Sequence, residues 1–501
     1  MNLLRAPGRG ARSTSSSLIL LPGFARTSVL SFSGFGVTAY VAGTPASRPG
    51  LELMWLVPLS FAVCVVVFTH IVDYHRGGVG LKVLYAIVVI RYLVSPALIV
   101  ATRGRVSPAM VAASASGYRF STLVTVAELV VCCTTISVAW PRVSRRLAER
   151  PPRRATVRQQ GSALTIGGVV IVALLAAVVR VRGFNGVTSS FGFLMLTTRY
   201  RDGPVDSFSV TAVQVAKSFL FVGLAVGCAR AYVAKRNPLW FLLAAGLAFV
   251  NITTYFGYNR SIIVETGIAT IVTLVYLFPP FRRLVVAVLA PVGMAVVYSL
   301  VTLKQFGVSA TSGQIGSRVS IDDLSRTIET YVNGAWPLAT SYDAASAMSG
   351  RVGASTLIRS YTDNFFLFKV PHFTLPNDLL SGVPSVVDLY QSFTWPAQGA
   401  MLPLSGEMWF YGGAALGPFF VVAGNALVFY LLVQIELRSK LAAGAQNKFI
   451  YSWLGALFGL AMCYCLITIW WSFSKFAFFL AILFWLNNRV VLRRVIDVGR
   501  P

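Results

Sequence analysis

The chain has 501 residues, 56% of them hydrophobic and 12% charged, with a mean hydropathy of +0.70. A soluble domain averages near 25% charged residues, so this composition excludes a soluble architecture and indicates a membrane protein. The formal charge of +26 would suit nucleic acid if it were clustered on a folded surface, but most Lys and Arg lie in short segments between apolar runs. That is where the positive-inside rule places them, and nucleic acid is not an expected partner.

Residues 1–26 form a basic tail rather than a secretory signal with a defined apolar core. Candidate spans follow at 27–45, 51–70, 82–102, 119–139, 162–180, 209–231, 238–254, 261–279, 284–302, 407–434, 449–469 and 473–489. Each is long enough to cross about 30 Å of hydrocarbon as a helix, although the first is rich in Gly and Ser. The expected fold is all-α: a polytopic bundle of about 12 transmembrane helices with one large extracytoplasmic loop at 303–405. Spans one to nine occupy 27–302, the last three 406–490, and a second basic tail 491–501.

Orientation follows from the loops. With the N-terminus inside, the cytoplasmic segments collect Arg76 and Lys82, the seven arginines of 141–160, Lys235, Arg236, Arg282, Arg283, Arg438, Lys440 and Lys448. The opposite side takes most of the acids, including Asp202, Asp206, Asp322, Asp343 and Asp363. Both ends are therefore expected inside a cytoplasmic (inner) membrane, and Trp470 and Trp471 are expected at the outer boundary between the last two spans.

In the large loop, Ser320 to Asp323 has the form of a capping box, and Ile321, Leu324, Ile328 and Tyr331 recur at helical spacing, which predicts an amphipathic helix. Pro371, Pro376, Pro384, Pro396 and Pro403 predict an irregular second half. All six cysteines lie in apolar runs and the three histidines are scattered, so no metal constellation and no cofactor is expected.

Four ionisable residues fall inside spans: Arg91, Glu128, Lys217 and Glu265. Each is costly in hydrocarbon unless paired or facing water, and two opposite-sign pairs are possible, either locking helices together or lining a cavity. Arg260, in the turn 255–261, suits bidentate grip of a phosphate or a headgroup. Arg318, Arg326, Arg351, Arg359 and Lys369 are basic groups on the charge-poor side, suited to an anionic partner or to simple solvation. His372 has the chemistry of a general base, as does Glu407 beside Trp409 and Tyr411, with a structural role open for each.

The ten-to-fourteen-span layout, the late loop, Gly257-Tyr-Asn-Arg260-Ser261 and Gly406-Glu407-Met408-Trp409-Phe410-Tyr411-Gly412 together resemble the Wzy-type oligosaccharide repeat-unit polymerases, or O-antigen polymerases, across roughly residues 160–490. The resemblance implies a metal-independent membrane glycosyltransferase acting on polyprenyl-diphosphate-linked oligosaccharide, with a chain-length regulator and a flippase as protein partners. By that likeness Glu407, His372 and Asp378 are the candidate bases, and Arg260, Arg318, Arg326 and Arg359 the diphosphate ligands. Tyr331, Trp395, Trp409 and Tyr411 would contact sugar rings. Some family members carry paired motifs, arginine ten residues before glycine, in two outer loops, and no such pair stands in two outer loops here. An O-antigen-ligase-type transferase and a lipid-linked oligosaccharide flippase are the alternatives.

Overall fold

The structure, a computed structural model, describes residues 23–45, 48–104, 111–149, 207–253, 261–288, 321–362, 382–394, 401–442 and 444–487, and no strand occurs among them. The first helices are α1 (Gly23–Gly43), α2 (Leu56–Val67), α3 (Val79–Ala101) and α4 (Ala115–Ala148). They are followed by α5 (Ser207–Lys235), α6 (Leu239–Thr253) and α7 (Ser261–Leu277). The large loop contributes α8 (Ile321–Tyr331), α9 (Ala335–Ala347), α10 (Ala354–Thr362) and α11 (Val386–Thr394).

The long helical stretch Leu404–Leu441 is broken at Gly413, whose φ of 55° and ψ of −157° are not helical. Glycine alone tolerates that conformation readily. The two pieces, α12 (404–412) and α13 (414–441), fold back on each other. Asn425 Nδ2 donates to Ser405 Oγ at 2.9 Å across 20 residues, which a straight helix would hold about 30 Å apart. A Cβ on Gly412 would strike the Gly417 backbone, one on Gly417 the Trp409 ring, and one on Gly424 the Met408 side chain. The partners diverge stepwise from Gly413, as in an antiparallel hairpin of helices. Glycines let the two arms approach, as small residues do between membrane helices. The chain ends with α14 (Ala445–Gly459) and α15 (Leu466–Asn487).

Five helices are long and apolar enough to cross a membrane, and Val264–Leu277 with Pro279–Val288 forms a sixth candidate bent by 118°. These make the chain a helical membrane protein. Expected spans 162–180 and most of 284–302 lie outside the described residues. Three boundaries differ from expectation. α2 has only 12 residues because 52–55 are turn. The tenth span starts after Gly413 because residues 404–412 form the other arm of the hairpin. The last break falls at 460–465, where Tyr464 and Cys465 are extended, so Trp470 and Trp471 sit within α15.

The second half of the loop is also less irregular than its prolines suggest. Ser385 N and Oγ donate to Asp388 Oδ2 while Asp388 N donates to Ser385 Oγ, a reciprocal cap that starts α11 just after Pro384. α8 forms where the amphipathic pattern predicts it.

Several basic residues gather at one end of the described helices. Lys440, at the end of α13, lies 4.7 Å over the ring of Trp140 near the end of α4, so these helices run parallel. Glu436 meets Gly80 at the start of α3, which is therefore antiparallel to both. Arg145, Arg146, Arg438 and Lys82 thus share an end with Lys440, away from the large loop. α9 packs against α4 and the hairpin at the loop end, with Ala339 and Thr340 fully buried. Gly117 and Gly406 leave room for it, since a Cβ on them would meet Ala339 O and Ser341 respectively.

Candidate functional site

Two buried opposite charges form one network at the centre of the bundle. Arg91 lies in a π-helical turn, Ile90–Val94, which displaces it from the regular ladder of α3. Its Nη2 donates to Glu128 Oε2 at 2.5 Å and its Nη1 to Met462 O at 3.0 Å. Glu128 Oε1 accepts from Ser405 Oγ, which in turn accepts from Asn425. Arg91 and Glu128 are each 2% exposed. This first intramembrane pair is therefore present, and it ties α3, α4, both hairpin arms and the α14–α15 connection together.

Lys217 donates to Asn251 O at 2.8 Å, while Asn251 Nδ2 donates to Thr270 Oγ1, linking α5, α6 and α7. Glu265 is fully buried on α7.

The second centre is Glu407 on the short arm α12. It is fully buried. Its Oε1 accepts from the hydroxyls of Tyr361 on α10 and Tyr411 on α12, each at 3.0 Å. Its Oε2 accepts from Leu466 N at 2.5 Å and Ile467 N at 3.3 Å. Those two N–H groups open α15, whose N-cap residue Cys465 supplies no side-chain cap. Glu407 thus satisfies a foreign helix terminus with a charge its dipole favours. The hairpin buries it between α10, α12 and the start of α15.

The same short arm also carries one member of an aromatic group. Trp409 lies 4.5 Å from Phe120 and 5.8 Å from Tyr342, and Phe120 lies 4.7 Å from Tyr342, measured between ring centroids. One ring comes from α4, one from α9 and one from α12. Burial and the neighbouring Glu407 carboxyl both push the Tyr361 phenol well above its ordinary value.

Two more acids fasten the loop. Asp343 accepts from Ser114 N at 2.7 Å and Ser114 Oγ at 2.5 Å, where Ser114 caps α4. Glu329 accepts from Trp336 N at 2.7 Å and so caps α9. Burial pushes the Glu329 carboxyl up to about 7, against the Trp336 hydrogen bond and Arg48.

Of the other expected site residues, Arg359 is half-buried on α10, two residues before Tyr361, and Tyr331 is half-buried at the end of α8. Arg260, Arg318, His372, Asp378 and Trp395 lie outside the described residues, as does the side chain of Arg326. Sequence reasoning missed Tyr361, Ser405, Asn425, Glu329 and Glu436. Ser405 and Asn425 left a faint signal as uncharged polar residues within or beside apolar runs, and Gly77, Gly78 and Gly80 signalled a close approach to the start of α3.

The fold and site define a helical membrane protein whose large loop docks on a glycine-turned helical hairpin carrying a buried carboxylate. No protein-family model, curated protein or solved structure matches the chain.

Proposed function

We propose that the protein polymerises polyprenyl-diphosphate-linked oligosaccharide repeat units at the outer face of the cytoplasmic membrane. The observation that carries this reading is that the short arm α12 holds both the buried Glu407 with its two phenol donors and Trp409 of the aromatic group. The segment Gly406–Gly412 supplies the carboxylate, one of its two tyrosines and Trp409, while the loop supplies Tyr361 and Tyr342. Residues of the family-like motif thereby take physical roles, with Gly406 admitting α9, Tyr411 holding the carboxylate and Gly412 closing the turn.

The chemistry is displacement at an anomeric carbon. The acceptor hydroxyl oxygen forms the new glycosidic bond, the bond to the diphosphate breaks, and the diphosphate departs with the electron pair. The acceptor proton must leave at the same time. Because Glu407 is sealed, the proton passes to the oxygen of Tyr361 or Tyr411 as that phenol hands its own proton to Glu407 Oε1. The sugar stacks on the Trp409 group through its apolar face. Charge developing on the diphosphate is met by arginine, with Arg260, Arg318, Arg326 and Arg359 as the loop candidates.

The transporter reading asks Arg91 and Glu128 to line a pathway, whereas they are bonded to each other and to Met462 and Ser405. The test is surface glycan from cells carrying Glu407→Gln or Arg260→Ala, with protein level in the membrane measured alongside. Single repeats at normal protein level are expected. Chains of normal length from both variants would overturn the proposal.

A further inference from the structure

The four helices of the large loop divide by which side chains they hide. α9 and α11 follow the pattern of a water-facing fold: Trp336, Leu338 and Ala339 are buried on the first, Val386, Leu389 and Tyr390 on the second, and Gln391 and Ser392 are exposed. α8 and α10 reverse it. On α10 the buried residues are Thr356 and Ser360, while Leu357 and Ile358 are 40% and 51% exposed. On α8 Ser325 is buried, Ile328 packs on the core, and Ile321 and Leu324 are 59% and 43% exposed. Single exposed aliphatics mean little, because most soluble surfaces carry them. Hydroxyls inside and aliphatics outside on the same helix are the arrangement that hydrocarbon selects. The hidden hydroxyls are used by the backbone: Thr356 Oγ1 donates to Arg351 O at 3.1 Å, and Ser360 Oγ donates to Thr356 O at 2.7 Å and accepts from Val386 N at 3.0 Å.

Both reversed helices are fastened to the loop end of a membrane-spanning helix. α10 packs against the first turns of α15, where Trp471 Nε1 donates to Ser360 O at 3.4 Å. Lys475, one turn further into α15, carries its Nζ back to 5.7 Å over the Trp471 ring. A tryptophan with a lysine reaching toward it from below marks the level where hydrocarbon gives way to headgroups. α8 packs against the last turns of α3, with Ser325 Oγ 3.5 Å from Thr102 Oγ1. The exposed aliphatics thus continue the lipid-facing surface of two spans.

We infer that α8 and α10 are interfacial helices, seated in the bilayer leaflet at the loop end with Ile321, Leu324, Leu357 and Ile358 among its acyl chains. Apolar insertion holds them rather than anionic headgroups, because α8 sets Asp322, Asp323 and Glu329 against Arg326 and offers no positive face. The loop is then part of the membrane surface, with α9 and α11 turned inward between the seated helices and the bundle. α10 also carries Tyr361, whose hydroxyl donates to Glu407 at 3.0 Å, so the lipid seat positions one of that carboxylate's two phenol donors. No substrate enters this inference, and it stands or falls apart from the polymerase reading.

The test uses the unaltered full-length protein in phosphatidylcholine nanodiscs doped with a phosphatidylcholine that carries a diazirine on its acyl chain close to the glycerol. After illumination, peptide mapping should find acyl adducts at 321–324 and 357–358 as well as on the spans, and none on α11. The same pattern is expected when phosphatidylglycerol is added. Adducts missing from either helix while the spans are labelled would overturn the inference, as would adducts that appear only with phosphatidylglycerol. A second measurement places a nitroxide at Leu324→Cys, Leu357→Cys or Ile358→Cys, with Gln391→Cys as the water-facing reference; the six native cysteines are buried. The first three labels should be open to oxygen and closed to a water-soluble nickel complex, and the reference the reverse. Nickel access equal to the reference would put these helices in water. Closure to both reagents would put them under protein, such as a second copy of this chain, and either result would overturn the lipid seat.

Discussion

Two buried glutamates in the same hairpin do the same structural job at different depths, and their difference separates architecture from chemistry. Glu436, near the end of α13, is 1% exposed and accepts from Gly80 N and Leu81 N at the start of α3. Glu407, on α12, accepts from Leu466 N and Ile467 N at the start of α15. Each gives a helix N-terminus the negative charge its dipole favours. The donors that the structure gives Glu436 are backbone groups, and Gly78, Gly80 and Gly455 crowd around it without side chains. Glu407 receives two phenols as well, one of them brought from the loop. Capping does not require those hydroxyls. Two phenols aimed at one carboxylate oxygen make a route for a proton, and that surplus is what the proposed transfer uses.

The comparison breaks most completely if the element holding both ends in place is removed. Glu128 anchors the short arm through Ser405 and neutralises Arg91, so Glu128→Ala leaves a buried guanidinium without its partner. Loss of one member of a buried pair costs about 3–5 kcal/mol. Detergent-extracted Glu128→Ala is expected to be scarce and aggregated on size exclusion, and polymer should be lost with it. A monodisperse variant with wild-type thermal stability would show that the hairpin is held by other contacts.

A finer cut sets Glu436→Gln against Glu407→Gln. Gln keeps an acceptor oxygen for the backbone donors but loses the charge, a change of about 1 kcal/mol for each helix terminus. Similar small decreases in melting temperature are expected from both. Only Glu407→Gln should shorten the surface glycan, and Tyr361→Phe should move in the same direction. If Glu436→Gln shortens the chains as much at equal membrane level, the two carboxylates are equivalent and Glu407 has no special chemistry.

The sequence carried the helical class, α8 and the possibility of the Arg91–Glu128 pair, because apolar runs and stranded charges are local signals. The hairpin was hidden for a physical reason. Residues 407–434 read as one continuous apolar span, and only the Gly412-Gly413 doublet marks the reversal, while glycine is frequent in membrane helices generally. The burial of Glu407 follows from that turn and leaves no local signal. Caps supplied across the chain were hidden as well: Tyr361 is 46 residues from Glu407, and Gly80 is 356 from Glu436, so neither leaves a spacing to read.

The smallest effect tests whether capping by a distant acid extends to the loop itself. Glu329 caps α9 as Glu407 caps α15, but it stands outside the spans, where its titration reports on folding. Burial raises its folded value to about 7 from an ordinary 4.5. Between those values the folded protein holds a proton the unfolded chain has released, so stability declines as pH rises from about 4.5 to about 7 and is level beyond. Glu329→Gln keeps the acceptor for Trp336 N and cannot ionise. The variant should therefore match wild type near pH 5 and melt a few degrees higher near pH 8, read by tryptophan fluorescence in detergent. Parallel pH profiles for the two proteins would mean that Glu329 is ionised and solvated in the fold, and that its cap on α9 differs in kind from the buried caps within the hairpin.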